Sequence, residues 1–193
     1  MADPIHLFPR RIARKLMAPS RAIFYPLRPM DDAPASDLLV VEDRGWPLLV
    51  VRFPHAITDV TMRAFIEAIE RAYARKERFA VVIDTGLVAK FPTAPARQIL
   101  TDWIADERRA ERERLYTVAT AVALASGPLR ALTAAINLMR RPVSPQHWTK
   151  TVYEAVEWSR LRLIDAGVTW TAGADALYAK MATPRARRSQ PPA

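Results

Sequence analysis

Residues Phe79–Ile104 read FAVVIDTGLVAKFPTAPARQILTDWI, and the fold class turns on them. Phe79 to Ile83 run without a polar interruption into Asp84-Thr85-Gly86. A strand with one wet face would alternate apolar and polar residues. An uninterrupted apolar run ending in Asp and Gly suits the centre of a parallel sheet covered on both sides. A helix then opens near Thr93, with Pro95 in its first turn, where the missing N–H costs nothing. Ile99, Leu100, Trp103 and Ile104 recur at the spacing of a buried helical stripe. The same helix is expected to run on through Asp106–Arg114 (DERRAERER) as a solvated end laced with i,i+4 pairs of opposite charge.

Upstream, Asp37–Val41 and Pro47–Phe53 are short runs rich in Leu and Val, joined by Glu42-Asp43-Arg44-Gly45. Two such runs around a glycine-bearing turn predict a β-hairpin. A helix follows from Thr58 or Asp59, either a good N-cap, with Met62, Phe65, Ile66, Ile69 and Tyr73 on one face. Downstream, Tyr116–Ala125 predicts another buried strand, and Ser126-Gly127-Pro128 opens a helix that carries Leu129, Leu132, Ile136 and Met139. Val143–Lys150 holds a short edge strand, its prolines excluding a central one. Thr151-x-x-Glu154 matches a capping box, and Val152, Ala155, Val156, Ser159 and Leu163 form the inward face of a last helix ended by Gly167. The order β-β-α-β-α-β-α-β-α predicts an α/β fold: a mostly parallel sheet with an opening antiparallel hairpin and helices on both faces.

The chain has 193 residues, and 29 Lys+Arg against 20 Asp+Glu give a net charge of +9. The excess is unevenly placed. Residues 1–36 carry six basic and three acidic side chains, net +3, and residues 168–193 carry four and one, again +3. The intervening 131 residues hold only the remaining +3. Nine of the sixteen prolines also sit in the two ends, and proline opposes both helix and sheet. Three segments follow: a basic, proline-rich arm over 1–36, an α/β domain over 37–167 and a basic tail over 168–193.

Within the arm, Phe8–Met17 (FPRRIARKLM) is amphipathic on a helix. Phe8, Ile12 and Leu16 align on one side, and Arg10, Arg11, Arg14 and Lys15 lie opposite. Phe24 and Tyr25 follow in a proline-limited, extended stretch. Such an arm packs back on its own domain, docks on a protein partner or a second copy, or lies on an anionic membrane surface. The first residues lack the apolar core of a secretory signal, and the reading places the protein in the cytoplasm. Nucleic acid is disfavoured, because no helix of the domain has a one-signed basic face and no strand interleaves aromatic with basic residues.

The segments FAVVIDTGLVAKFPTAPARQILTDWI, SGPLRALTAAINLM (Ser126–Met139) and TVYEAVEW (Thr151–Trp158) resemble the STAS / SpoIIAA-like domains and their SEC14-like lipid-binding relatives. These are small bacterial α/β modules that include anti-sigma-factor antagonists. The likeness spans residues 37–167. It implies a non-enzymatic regulatory module acting through protein contact, with the arm as docking or assembly element. The SEC14-like relatives imply the alternative, a binder of lipid or another hydrophobic ligand near an anionic membrane. It also implies a phosphorylatable hydroxyl at the start of the helix after the central strand. Thr93 occupies that place in Phe91-Pro92-Thr93-Ala94 and reads equally as an N-cap; Thr85, at the strand end, is a second hydroxyl to consider.

Composition removes most catalytic chemistry. Without cysteine there is no thiolate nucleophile or thiolate metal site, and the three histidines, His6, His55 and His147, are far apart in sequence. No glycine-rich phosphate loop and no G-x-S-x-G elbow occur. Asp84 is the best isolated candidate for a ligand site, since open α/β sheets bind ligands at the carboxyl ends of their strands. No enzymatic activity, cofactor or metal is expected.

Overall fold

The hairpin forms as its sequence directs. Strand β1 (Val40–Glu42) pairs antiparallel with β2 (Leu48–Arg52), Val41 facing Val51. The structure, a computed structural model, describes residues 38–124 and 143–182. The N-terminal arm, the helix expected from Ser126 and the last basic residues lie outside the described residues. From β2 the chain enters helix α1 (Asp59–Ala74), capped by Thr58, whose hydroxyl accepts from the Thr61 amide. Met62, Phe65, Ile69 and Tyr73 are buried as the stripe predicts, and Ile66 is partly buried.

Strand β3 (Phe79–Asp84) pairs in parallel with β2, and β4 (Thr117–Ala123) with β3. Strand β5 (Gln146–Thr149) closes the edge beside β4. The sheet order of the described residues is β1-β2-β3-β4-β5, the same as the chain order. Parallel crossovers are right-handed, so a sheet that grows steadily in one direction receives its crossover helices on one face. That face presents Leu49, Val51, Phe79 and Val81. It is covered by α1 and by the two helices between β3 and β4, α2 (Ala94–Ala105) and α3 (Glu107–Tyr116).

Those two helices correct the sequence reading, which ran one helix through Arg114. Asp106 takes an extended conformation (φ −67°, ψ 119°) that ends α2, and its carboxylate accepts from the Arg108 amide to cap α3. A short acidic side chain competes for backbone N–H groups in this way and favours a helix start over a helix interior.

The opposite face carries Leu48, Val50, Ala80, Val82, Ala119, Ala121 and Ala123. A one-residue register shift between Phe79 and Ala80 places both Val118 and Ala119 on this side. Helix α4 (Val152–Asp165) lies across it. The alanines of β4 bring α4 close, so that Ala155, Val156, Ser159 and Leu163 lose all contact with solvent. Its capping box is complete: the Thr151 hydroxyl accepts from the Glu154 amide and the Glu154 carboxylate accepts from the Thr151 amide. After the helix Gly167 takes φ +70°, a conformation glycine adopts without strain.

The folded unit does not end there. Residues read as irregular tail form helix α5 (Ala172–Ala182), which buries Ala174 and Leu177 against the α4 side of the sheet. The Thr171 hydroxyl caps it through the Ala174 amide and donates to the Trp46 carbonyl of the hairpin turn. This helix is itself neutral, carrying Asp175 and Lys180. The tail's net +3 therefore belongs to Arg185, Arg187 and Arg188 beyond it.

Helix α5 meets the hairpin at two glycines. A Cβ on Gly45 would press on the Leu177 side chain, and one on Gly173 would collide with the Arg44 carbonyl oxygen. Backbone cannot yield as a side chain does, so Gly173→Ala is expected to cost about 1–3 kcal/mol through overpacking. Urea denaturation measures this, and a midpoint equal to the parent's would refute the close approach.

Candidate functional site

The carboxyl end of β3 supplies the residues singled out from the sequence, and the pleat separates them. Asp84 points to the α4–α5 face and is 4% exposed. Its Oδ2 accepts from Arg52 Nε at 2.8 Å and its Oδ1 from the Gly86 amide at 2.8 Å. Arg52 is its direct neighbour in the β2–β3 register. The network continues outward. Arg52 lies 3.9 Å from Glu42, and Lys180 of α5 binds both oxygens of Glu42 at 3.0 and 3.1 Å. Asp84 is thus a tie between strand ends that sits close to α5.

Thr85 turns to the other face. It is buried, and its hydroxyl donates to the Ala123 carbonyl at 2.7 Å. Thr93 is exposed and caps α2, its hydroxyl accepting from the Ala96 amide at 3.3 Å. His147 stacks on Trp158 at 5.0 Å, while Trp148 remains nearly half exposed on the edge strand. The candidate docking residues Phe8, Arg10, Arg11, Ile12, Arg14, Lys15, Leu16, Phe24 and Tyr25 lie outside the described residues.

The feature the sequence did not reveal is a cavity of about 190 Å³ between the sheet and helices α1, α2 and α3. It explains a departure from the expected core. Only Ala96 of α2 is fully buried, and Ile99, Leu100, Trp103 and Ile104 are only partly so. The space has a simple origin. On this face β4 offers Thr120 and Val122, residues too small to fill the gap beneath the α2 side chains. Its walls are apolar, with Phe65, Ile83, Leu100 and Trp103 prominent, and Thr85 lies on its wall.

Where the wall is formed by α3 it carries charge. Arg109 and Glu113, one helical turn apart, pair at 2.7 Å, and the Ser144 hydroxyl donates to the second Glu113 oxygen at 2.7 Å. Glu113 is 3% exposed, so this part of DERRAERER is not the solvated end its composition suggests. The Arg109 guanidinium stacks on Trp103 with 4.5 Å to the ring centre. The Trp103 indole N–H and Arg112 both donate to one oxygen of Glu70, at 2.8 and 3.0 Å. Helices α1, α2 and α3 are thereby bound together around the cavity. Nearby, burial pushes the Tyr73 phenol above its ordinary range and keeps it protonated. The i,i+4 spacing of Arg109 and Glu113 was legible in the sequence; their burial and their link to Ser144 were not.

No protein-family model, no curated protein and no solved structure matches the chain. Among the described residues no helix is long and apolar enough to cross a membrane.

Because Asp84 is committed to Arg52, Asp84→Asn is expected to lower stability by about 2 kcal/mol, the weight of a charge-assisted hydrogen bond with one partly exposed partner. Chemical denaturation checks this. A variant as stable as the parent would show that the carboxylate does not hold the strand ends together.

Proposed function

We propose that the chain is a non-enzymatic binding module of the cytoplasm that takes up a small apolar molecule between its sheet and helices α1–α3. The observation that carries this reading is the apolar cavity of about 190 Å³. Natural cores are packed to crystal density, and an open apolar space of this size costs stability unless something occupies it. A dry cavity of about 150 Å³ takes up a molecule the size of benzene. The space here therefore fits one ring or a short chain and is too small for a two-chain lipid. A non-catalytic role is supported by the fate of the candidate polar groups: Asp84 is held by Arg52 and Gly86, and Thr85 by Ala123. The basic ends, with Arg10, Arg11, Arg14 and Lys15 on one and Arg185, Arg187 and Arg188 on the other, suit attraction to an anionic membrane surface.

Toluene is the probe for this reading. It is expected to bind the full chain and raise its melting temperature by mass action. Val122→Phe, which places a ring in the cavity, is expected to keep the fold by circular dichroism and weaken toluene binding about tenfold or more. Absence of toluene binding by the parent, or unchanged binding by Val122→Phe, counts against the reading.

A second reading keeps the STAS-like likeness and makes the domain a regulatory module acting through a protein partner or self-assembly. It is favoured by Leu87 and Phe91, 42% and 52% exposed in the loop before Thr93. Large apolar side chains exposed in one loop, next to a helix N-terminus that would stabilise a phosphate on Thr93, suit a regulated contact. Light scattering tests it: Leu87→Ser/Phe91→Ser and removal of residues 1–36 are each expected to lower the number of chains per particle. A number of chains per particle that neither change alters would sink self-assembly.

A further inference from the structure

The loop between β3 and α2 is held at its base and open to water elsewhere. Val88 and Pro92 are buried, and the Ala89 amide donates to the His55 carbonyl at 3.0 Å, which ties this loop to the one that follows β2. Between these anchors Leu87, Lys90 and Phe91 are exposed. The Arg97 guanidinium lies over the Phe91 ring, 5.2 Å from its centre, and donates to the Pro92 carbonyl at 2.6 Å. Residues 85–101 contain Lys90 and Arg97 and no acidic residue, and residues 53–58 contain no acidic residue either. Apolar side chains flanked by cations suit an anionic bilayer, whose hydrocarbon takes the first and whose headgroups take the second.

Strand register shows that both basic chain ends join the fold at this same end of the sheet. Strand β1 runs antiparallel to β2 with Val40 opposite Arg52, so the chain reaches β1 from the end where β2 and β3 finish. Leu38 is exposed there. Helix α5 runs the opposite way. Its cap, Thr171, is bound to the Trp46 carbonyl ahead of β2, and near its end Met181 Sδ lies 3.9 Å from the Arg52 guanidinium. Arg52 in turn pairs with Asp84, the last residue of β3. The net +3 of residues 1–36 therefore enters, and Arg185, Arg187 and Arg188 leave, at the end that carries Leu87 and Phe91. Asp59 and Glu154, in the first turns of α1 and α4, are outnumbered by these cations, and Glu154 is engaged in its capping box.

From this we infer that the end of the sheet carrying the β3–α2 loop docks on an anionic lipid bilayer, with Leu87 and Phe91 entering the lipid and Lys90, Arg97 and the basic chain ends at the headgroups. This inference rests on the membrane attraction proposed above and adds the surface that meets the lipid. Charge alone gives a weak, salt-sensitive attraction; the two apolar side chains add a contribution that salt does not screen. Thr85 and Pro92, at the two ends of the loop, both line the cavity, so the surface that meets the bilayer is continuous with the cavity wall.

Co-sedimentation of the full chain with vesicles tests this. The chain is expected to bind phosphatidylcholine vesicles containing about one third phosphatidylglycerol, and to bind phosphatidylcholine alone about tenfold or more weakly. Leu87→Ser/Phe91→Ser is expected to keep the fold by circular dichroism and to weaken binding to the anionic vesicles about tenfold or more. Should that variant fail to fold, Phe91→Trp is the alternative: brominated phospholipid in the anionic vesicles is expected to quench its fluorescence beyond the level of the parent. Vesicle binding by Leu87→Ser/Phe91→Ser equal to the parent's, or no added quenching in Phe91→Trp, overturns the inference while the membrane attraction stands. If the loop instead joins two chains, the double variant lowers the number of chains per particle and leaves vesicle binding unchanged, which overturns it as well. If the parent does not bind the anionic vesicles, the membrane attraction falls and the inference with it.

Discussion

Phe79, Ala80 and Val82 of β3 are completely buried and Val81 is nearly so, which leaves this part of the central strand buried on both faces. Each such side chain contributes about 1.5–3 kcal/mol when removed from water, less for alanine, and only if both sides of the sheet are covered. The remaining architecture follows from meeting that condition twice. Right-handed crossovers in a sheet built strand by strand place α1, α2 and α3 on one side. They leave the other side to whatever the chain does after β5. Helices α4 and α5 meet that need, which is why residues beyond Gly167 are part of the fold.

The two sides are solved differently. On the α4 side, β4 presents Ala119, Ala121 and Ala123, and the helix approaches with Ala155 and Ser159, so small residues meet small residues and the layer closes. On the α1–α3 side the same strand offers Thr120 and Val122 beneath the long side chains of α2. The Trp103–Glu70 and Arg112–Glu70 bonds hold the helices to one another. No single helix can sink into the gap without breaking those bonds, and the cavity lies beneath the three of them. Charge follows the same division. Arg52 and Asp84 tie strand ends on one face, and Arg109 and Glu113 balance each other on the other, so among the described residues the buried carboxylates are paired.

Local features were legible because local forces decide them. The caps at Thr58 and Thr151, the proline in the first turn of α2, the hairpin around Gly45 and the stripe of α1 all depend on residues a few positions apart. Two local signals were present and outweighed. Asp106 is a good N-cap, yet within a run of mixed charges it reads as one more member of an exposed helix. Thr171 is likewise a cap, but the basic and proline-rich residues that follow made the segment read as tail. In α5 glycine serves close approach to the Arg44 carbonyl, a requirement invisible along the chain. The candidate site was less accessible still, because Asp84 and Arg52 are 32 positions apart, and so are tied only by register.

The sequence by itself determined the fold class, the order of the strands and the placement of most of the net charge at the chain ends. Periodicity, capping and proline placement are properties of neighbouring residues, and neighbours are what a sequence records. Tertiary structure alone decided that Asp84 would be consumed by an ion pair, that Glu113 would be buried beside Ser144, and that a space would remain under α2. Those outcomes depend on which side chains meet across layers and on how closely the layers approach. Volume and desolvation, rather than local propensity, set them.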